Sequence, residues 1–343
     1  MGKPDSFYRK QKVKSQFILV GGAPSKLLDQ NPGGQLTASI GLSQYAKSAG
    51  YNLDIIDTTQ SSFPVPPFTK RLFKGLQRIK ALRGKLSKEK IDGLIVFSCT
   101  GFSFYERTLM CLIARFYGVK SLFFLRDGYF LKSIKNSLFT FHITKLFLKL
   151  PSIIGAQGNN WVDIFKSLDV PEEKIVTVRN WLSLDFPVST KVKSASKLNR
   201  LRFVFVGWLV TDKGVTELLQ AANQLLNDYD FELIFVGDGT LKNEIEKDIK
   251  YNSNESNIFI TGWQSHQDVL KYLSTSHVFI LPSKAEGFPN ALIESMAMPL
   301  ACICTDFLGA KNEVIQNELN GLIVKTADEF EMAKAIDRLI VDE

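Results

Sequence analysis

The chain lacks any apolar run long enough to cross a bilayer. A transmembrane helix needs roughly 18 to 20 consecutive apolar residues, and every apolar run in this sequence is shorter. The first sixteen residues are polar and basic rather than an apolar leader segment. We therefore expect neither a signal peptide nor a spanning helix.

Cysteine and histidine are also scarce. The 343 residues contain four cysteines and three histidines, and neither set has the spacing of zinc ligands. Cys302 and Cys304 alternate within an apolar run, as neighbours on one face of a strand do. We therefore expect no metal site built from these residues, and buried free thiols in a reducing cytoplasm.

The composition is that of a folded protein with two cores. Hydrophobic residues make up 45% of the chain and charged residues 22%, which argues against disorder. A chain of 343 residues exceeds the usual size of one core, so we expect two domains. Residues 1–190 carry a net charge of about +14 and the remainder about −7, so the two halves have different surroundings.

Short β-rich runs alternate with longer helical runs along the whole chain. The polar stretch STKVKSASKLNR, residues 189–200, interrupts the pattern, which then starts again. Alternating strands and helices predict parallel sheets covered on both faces. We therefore predict an α/β protein of two Rossmann-like, doubly wound domains, residues 1–188 and 201–343, that face each other across a cleft and are joined by a linker at 189–200.

The predicted strands can be read directly from the sequence. In the first half they are QFILVGG, YNLDIID, IDGLIVFS and KSLFFL. In the second half they are RFVFVG, FELIFVGDG, NIFITG, HVFILPS and LACICT.

Glycines follow several of these strands, at the edge where open α/β sheets bind ligands. They occur in GGAP (21–24), NPGGQ (31–35), GWLVTDKG (207–214), GDG (237–239) and EGFPN (286–290). Each one alone is explained by turn chemistry. Their recurrence at strand ends in both halves favours close approach of the backbone to a ligand.

The stretch EGFPNALIE places Glu286 and Glu294 on either side of a turn. Pro289 suits the first turn of a helix, which puts Glu286 in the loop and Glu294 about one and a half turns into the helix. Ionised carboxylates only accept hydrogen bonds, and hydroxyls suit them as donors. Glu294 could instead be a solvated helix residue, and Glu286 a first-turn carboxylate favoured by the helix dipole.

Residues from about Arg202 to Val324 resemble the donor-binding half of glycosyltransferase family 4. These are retaining nucleotide-sugar transferases of GT-B fold. The motifs that carry the resemblance occur in the family's order and at close to its spacing: GxLxxxKG at 207–214, GDG at 237–239, ITGW at 260–263, LPSxxEGFPNxLIExMA at 281–297 and NGLIV at 320–324.

The resemblance implies a role for each matching residue. Glu286 would contact hydroxyls of the donor sugar, Glu294 the ribose diol and Lys213 the diphosphate. The backbone from Phe288 to Ala291 would contact the phosphates or the sugar. The full set of candidate donor-binding residues is Gly33, Gly34, Gly207, Trp208, Gly237, Gly239, Gly262, Trp263, Gly287, Phe288, Pro289, Asn290, Ala291 and Glu294.

The chain also departs from the family pattern. Trp208 stands where the family usually has arginine, so Lys213 is the one matching cation. FLRDGYF (124–130) matches a segment that often carries histidine and here offers Arg126 and Asp127. We expect Arg126 to enter the cleft and supply the missing charge; otherwise it is a surface arginine. The last residues, IDRLIVDE, precede the position at which many relatives carry helices that cross back over the first domain.

The resemblance implies transfer with retention of configuration and without a metal. Glu286, Lys213 and Arg126 are the candidate catalytic residues, and the cations would stabilise the leaving diphosphate. No DxD-like acidic pair follows a predicted strand. We expect a UDP- or GDP-sugar as co-substrate and no other cofactor.

The first domain should bind the acceptor, and its basic charge suggests where. Residues 68–90 place Leu72, Leu76, Ile79 and Leu86 at helical spacing. Seven basic residues surround this stripe: Lys70, Arg71, Lys74, Arg78, Lys80, Arg83 and Lys85. The stretch SLFTFHITKLFLKLP (137–151) is apolar apart from His142, Lys145 and Lys149 on one helical face. The alternative for both is an ordinary domain helix with a solvated basic face. Together they favour docking on the anionic inner surface of a membrane, with a saccharide or lipid-linked saccharide as acceptor. No nucleic-acid motif accompanies the charge.

Two other functions remain open from the sequence. One is another GT-B activity, such as a sugar-nucleotide epimerase, which the EGFPNALIE pattern disfavours. The other is a non-catalytic GT-B subunit that binds a nucleotide or a partner protein, which Trp208 and the absent histidine favour.

Overall fold

The computed structural model describes residues 15–23, 34–59, 66–188, 200–307 and 313–341. Residues 189–199 of the predicted linker lie outside this part of the chain, and so does the candidate residue Gly33.

A six-stranded parallel sheet forms from the first half of the chain, in the order β2-β1-β3-β4-β5-β6. Its strands are β1 (Gln16–Gly21), β2 (Asn52–Asp57), β3 (Gly93–Ser98), β4 (Ser121–Leu125), β5 (Ile153–Ala156) and β6 (Ile175–Thr177). Its helices are α1 (Gly34–Ala49), α2 (Phe68–Lys88), α3 (Phe102–Phe116), α4 (Phe130–Lys135), α5 (Leu138–Phe147) and α6 (Asn159–Ser167).

A second six-stranded parallel sheet forms from the second half, in the order β12-β11-β10-β7-β8-β9. Its strands are β7 (Leu201–Val206), β8 (Phe231–Val236), β9 (Ile258–Gly262), β10 (Val278–Leu281), β11 (Ala301–Thr305) and β12 (Leu322–Val324). Its helices are α7 (Val215–Leu225), α8 (Lys242–Tyr251), α9 (His266–Thr275), α10 (Asn290–Met296) and α11 (Glu329–Val341).

Each sheet changes direction of winding at one point. In the first sheet the strand order reverses between β1 and β3, and in the second between β7 and β10. The loops beyond the carboxyl ends of such strand pairs leave a crevice in which α/β proteins bind ligands. The two reversals of strand order therefore determine where the site lies.

Each domain has its own apolar core. Clusters on the two faces of the first sheet include Phe123 and Trp161 on one face and Phe97 and Phe124 on the other. A separate cluster, with Phe203 among its members, fills the second domain. The predicted two-domain α/β fold is confirmed.

The strand predictions agree with the structure to within a few residues at each end, whereas β5, β6 and β12 were not predicted as strands. Cys302 and Cys304 lie buried in β11, and all four cysteines are free thiols. Of these, Cys99 is half-buried instead of buried. Within the described residues, every helix is too short or too polar to cross a bilayer.

Candidate active site

Loops beyond the carboxyl ends of the strands at the two switch points carry most of the predicted site residues. The 207–214 turn follows β7 and the 286–290 loop follows β10, while α1 follows β1 in the facing domain. A fourth segment, the 126–129 loop, follows β4. The sheet topology thus gathers residues that are far apart in sequence.

Lys213 and Glu286 form an ion pair between the first two of these segments. Ser283 Oγ donates a second hydrogen bond to the same Glu286 oxygen at 2.9 Å. Lys213 ends a 3-10 turn, and the next residue, Gly214, has φ 66° with its backbone against the Pro282 carbonyl. A side chain at Gly214 would clash there, so the glycine fixes Lys213 beside Glu286.

The 286–290 loop lies directly against the first domain. A Cβ on Gly128 would stand 2.5 to 2.7 Å from backbone atoms of Glu286. Trp161 Nε1, on the buried side of α6, donates to the Gly287 carbonyl at 2.9 Å. The loop is therefore held from across the cleft as well as by its own domain.

Side-chain amides continue this contact. Asn180 Nδ2 donates to the Phe288 carbonyl at 2.6 Å and to Asn290 Oδ1 at 2.7 Å. Asn290 Nδ2 in turn donates to the Gly34 carbonyl, at the first residue of α1, at 3.0 Å. Gly34, Asn290 and the 286–290 loop are thus brought together, as the resemblance implies for the donor phosphates.

Arg126 lies beside Gly34 on the same side of the cleft. Its guanidinium stacks 5.2 Å from the ring centre of Phe97 and 5.8 Å from that of Trp181. Nη2 reaches the Gly34 carbonyl at 3.5 Å, while buried Nη1 has no hydrogen-bond partner among the described residues. Burial lowers the pKa of Arg126 to about 10. Arg126 therefore lies in the cleft beside Gly34, as expected, and the alternative of a surface arginine without a partner there is wrong.

The remainder of the 126–129 loop is organised by Asp127. Its carboxylate accepts hydrogen bonds from the backbone N–H and hydroxyl of Thr100 and from the N–H of Tyr129. Burial raises the pKa of Tyr129, and the nearby carboxylates of Asp212 and Glu286 raise it further. Asp127 therefore shapes this loop, and Tyr129 stays protonated as a hydroxyl facing the second domain.

Glu294 lies in α10, as predicted, but it is buried instead of solvated. Only 7% of the residue is exposed, and one carboxylate oxygen lies 3.3 Å from His266 Nε2 at the start of α9. The hydrogen bond to Glu294 raises the pKa of His266, against the opposing effect of burial. A buried carboxylate paired with a histidine in this way can accept hydrogen bonds from a diol.

Several predicted glycines contact the protein's own backbone. A Cβ on Gly237 would stand 1.8 Å from the Gly207 carbonyl oxygen, and one on Gly239 would stand 2.3 Å from the Leu209 carbonyl oxygen. Gly207, Gly237 and Gly239 therefore pack the turns after β7 and β8 together. Trp208 and Trp263 are half-buried in the turns after β7 and β9, where Gly262 has φ 71°.

Comparison with known proteins shows which proteins this chain is similar to. Residues 189–343 match the family model described as glycosyl transferases group 1. The chain is 28% identical over 320 residues to an Escherichia coli UDP-Gal:alpha-D-GlcNAc-diphosphoundecaprenol alpha-1,3-galactosyltransferase, covering 87% of this chain and 79% of that protein. The second domain therefore resembles group 1 glycosyl transferases, and the two domains together have the GT-B fold.

A second relative and a solved structure agree with this result. The chain is 27% identical over 251 residues to N-acetylgalactosamine-N,N'-diacetylbacillosaminyl-diphospho-undecaprenol 4-alpha-N-acetylgalactosaminyltransferase of Campylobacter jejuni, covering 71% of this chain and 67% of that protein. Sucrose-phosphate synthase of Thermosynechococcus elongatus superposes with a TM-score of 0.73 at 17% identity, over 96% of this chain and 90% of that one. This second likeness shows the fold alone.

The 286–294 segment has the predicted arrangement of a loop followed by a helix. Glu286 lies in the loop and Glu294 is the fifth residue of α10, with Asn290 and Ala291 in its first turn. Pro289 precedes the helix by one residue, so its placement within the first turn was wrong by one position. In the parts of the chain that are described, no three His, Cys, Asp or Glu side chains are grouped to hold a metal ion.

Four residues of the site were missed from the sequence. Trp161 and Asn180 hold the 286–290 loop, Ser283 donates to Glu286, and His266 lies against Glu294. A signal was available for Ser283, since it lies three residues before Glu286 at the end of a predicted strand. His266 lies three residues after the ITGW motif, whereas Trp161 and Asn180 lie far from every motif.

Proposed function

We propose that this chain is a glycosyltransferase that moves a hexose from a UDP- or GDP-sugar to a lipid-linked saccharide, with retention of anomeric configuration. The observation that carries the proposal is the Lys213–Glu286 ion pair at the switch point of the second sheet. The two relatives support the acceptor class, since the names of both describe acceptors joined to undecaprenol through a diphosphate. A role in cell-surface polysaccharide assembly follows from that class.

In the proposed donor site, Lys213 and Glu286 separate, and each contacts a different part of the donor. A donor diphosphate attracts Lys213, because two negative phosphates compete with one carboxylate for the ammonium. Glu286 is then free to accept hydrogen bonds from the sugar hydroxyls, while Ser283 holds its carboxylate in place. Glu294, fixed by His266, accepts from the ribose diol.

Arg126 supplies the second cation in place of the arginine that Trp208 replaces. Its Nη1 has hydrogen-bonding capacity left over in the described structure, and its Nη2 already points to Gly34. The flanking rings of Phe97 and Trp181 hold the guanidinium plane. We assign Arg126 to the leaving diphosphate, with Gly34 approaching the phosphate from the same domain.

The reaction then needs no metal ion. Lys213 and Arg126 stabilise the charge that develops on the leaving nucleoside diphosphate, as preorganised cations do. The acceptor hydroxyl attacks from the face that the leaving group vacates, and its proton passes to the leaving phosphate. The carbon–oxygen bond to the diphosphate breaks as the new glycosidic bond forms, so configuration is retained.

The acceptor end of the proposal is a membrane-docking face on the first domain. In the structure α3 packs beside both α2 and α5, and the three helices expose large apolar side chains. We call these residues the helical face: Phe68, Leu72, Phe73, Leu76, Leu109, Phe116, Tyr117, Leu138, Phe139 and Leu146.

Basic residues border the helical face. Lys70 and Lys80 on α2 and Lys132 and Lys135 on α4 are exposed. In contrast, Arg78 pairs with Glu106 and Lys85 with Asp54, so not every predicted basic residue is available. Apolar side chains bordered by lysines suit the interface of an anionic membrane, and we infer docking on its inner face, in the cytoplasm.

Nucleotide binding to the wild type and two lysine variants tests the proposal. UDP, GDP, ADP and the matching sugar nucleotides are titrated calorimetrically against the wild type, Lys213→Ala and Lys284→Ala. Lys284 is a matched control, because it is similarly exposed and pairs with Glu217 at 2.7 Å. We expect one diphosphate to bind and to lose about 10- to 100-fold in affinity only in Lys213→Ala.

The other outcomes each point elsewhere. If no nucleotide binds, the donor-site assignment is wrong. Binding that depends on Lys213 but leads to no transfer on any lipid-linked acceptor would support a non-catalytic GT-B subunit. Interconversion of the bound sugar nucleotide would support an epimerase.

A further inference from the structure

A chain of three side-chain amides crosses the interface between the two domains. Gln157 Nε2 donates to Asn180 Oδ1 at 2.9 Å, Asn180 Nδ2 donates to Asn290 Oδ1 at 2.7 Å, and Asn290 Nδ2 donates to the Gly34 carbonyl at 3.0 Å. Every member donates in the same direction. Hydrogen bonds arranged in this way polarise and strengthen one another.

The chain is anchored in the first domain. Gln157 follows β5 and is buried, with 1% of the residue exposed. Its Nε2 donates to Asn180 Oδ1, which leaves the NH₂ group of Asn180 to donate elsewhere. That NH₂ group is then directed to the second domain, where it contacts both the Phe288 carbonyl and Asn290.

An amide is the side chain that this position requires. Asn180 must accept from Gln157 at one atom and donate twice from the other, and among side chains of its size only an amide does both. A carboxylate would place an oxygen against two acceptors. Asn290 could relieve that contact by turning its own amide over, but it would then direct an oxygen at the Gly34 carbonyl.

We propose that Asn180 is a positioning residue that orders the 286–290 loop and joins it to Gly34. The inference rests on the proposed function, since it assigns this loop and Gly34 to the donor. Asn180 itself does not contact the reacting atoms. Its effect on transfer arises because it fixes Phe288 and Asn290, and with them the end of the loop that begins at Glu286.

A hydrogen-bonding role and a purely space-filling role for Asn180 predict different orders of damage among its variants. Asn180→Asp keeps the size of the side chain and the acceptor for Gln157 but replaces the donating NH₂ group by an oxygen, whereas Asn180→Ala only removes the bonds. We therefore expect Asn180→Asp to be at least as damaging as Asn180→Ala. If Asn180 only filled space, the isosteric Asn180→Asp would be the milder change.

Asn223 provides a matched control. It is another half-buried asparagine with two side-chain bonds, to Asp248 at 2.6 Å and from Asn254 at 2.8 Å, but all three residues lie within the second domain. Asn223→Ala therefore removes a comparable amount of hydrogen bonding without touching the interface.

Hydrogen exchange, measured by mass spectrometry on the full chain, reports the local stability of the 286–290 loop and needs no ligand. In both Asn180 variants we expect peptides that cover residues 284–293 and the start of α1 to exchange about tenfold faster, which corresponds to about 1.4 kcal/mol of local stability. Asn223→Ala should leave those peptides unchanged. Unchanged exchange in both Asn180 variants would overturn the proposal.

Kinetics supply the second readout. With the donor that the nucleotide titrations identify, kcat of Asn180→Ala should fall about tenfold while the KM for the acceptor stays constant. A milder effect of Asn180→Asp than of Asn180→Ala, in exchange and in kcat, would refute the role. If no nucleotide binds the wild type, the proposed function fails, but the exchange comparison still decides whether Asn180 orders the loop.

Discussion

Gly128 of the first domain and Glu286 of the second lie in backbone contact across the cleft. A Cβ on Gly128 would stand 2.5 Å from the Glu286 carbonyl carbon and 2.6 Å from its nitrogen. Since both neighbours are backbone atoms, neither can turn aside as a side chain can. The position of the Glu286 carboxylate therefore depends on a residue of the other domain.

Gly128→Ala should separate the two loops. The added methyl group forces the 286–290 loop away, and overpacking of this kind costs about 1 to 3 kcal/mol. We expect a lower melting temperature and weaker binding of the nucleotide sugar, measured by thermal denaturation and calorimetry.

Gly84→Ala is the control for that change. Gly84 lies within α2 and a Cβ there would meet nothing within 4 Å. Because alanine is a better helix former than glycine by about 0.5 to 1 kcal/mol, this variant should be slightly stabilised. Equal behaviour of the two variants would contradict the close contact at Gly128.

Arg126→Gln should reduce transfer more than it reduces stability. The variant loses the charge assigned to the leaving diphosphate, and charged hydrogen bonds contribute about 1.5 to 3 kcal/mol, so we expect kcat/KM to fall about 10- to 100-fold. Arg126→Lys keeps a charge without the planar guanidinium and should recover part of the loss. A fall in melting temperature with unchanged kcat/KM would instead assign Arg126 to the core beside Phe97 and Trp181.

The His266–Glu294 pair should make stability depend on pH. Hydrogen bonding to Glu294 raises the pKa of His266 above its ordinary value of 6.5, and Asp185 adds a smaller effect in the same direction. The pair therefore stabilises the folded state fully below that ordinary value, and this contribution is lost as the pH rises through the raised pKa.

Thermal denaturation across that pH window checks the sign. The difference in melting temperature between wild type and His266→Gln should be largest on the acid side and should shrink as the pH increases. His142→Gln removes an exposed imidazole from α5 and should have the melting temperature of the wild type at every pH. A difference that grows with pH would contradict the pairing.

Replacing exposed aromatic residues of the helical face should weaken membrane binding. Phe73 is 62% exposed and Phe139 75% exposed. Inserting such a ring into the interfacial region of a bilayer stabilises the bound state, so Phe73→Ser and Phe139→Ser should each weaken binding to anionic phospholipid vesicles about tenfold. Sedimentation with vesicles measures the effect.

Phe330 on α11 of the second domain is also 62% exposed and provides the control. Phe330→Ser should bind vesicles as the wild type does. Lys70→Gln should cost about fivefold on anionic vesicles, since a lysine near such a surface contributes about 1 kcal/mol. If the wild type bound uncharged vesicles as well as anionic ones, or if every variant including Phe330→Ser lost the same amount of binding, the helical face would not be the docking surface.

The sequence was sufficient for the fold because the apolar periodicity of a buried parallel strand is local. It also placed Glu286 and Glu294 correctly, since Gly287 and Pro289 mark a loop before a helix. The strands β5, β6 and β12 escaped notice because they have only four, three and three residues. So few residues do not show a period.

Contacts between distant residues could not be predicted in this way. Trp161 and Gly287 are 126 positions apart, and Asn180 and Phe288 are 108 positions apart. Helical spacing on α2 was ambiguous for a different reason: Leu72 and Leu76 share the period of buried residues, yet they are 41% and 58% exposed. Periodicity identifies an apolar stripe but does not say what covers it.

The polar character of the contact between the domains has a consequence for their separation. Apart from Phe186, which packs into the core of the second domain, each apolar core lies within one domain. The described contacts at the 286–290 loop are carried by amides, an indole N–H and backbone carbonyls. When the domains separate, water replaces these partners, so each bond lost costs only about 0.5 to 1.5 kcal/mol. Separating the domains would therefore exchange polar contacts for water and leave the apolar cores largely intact.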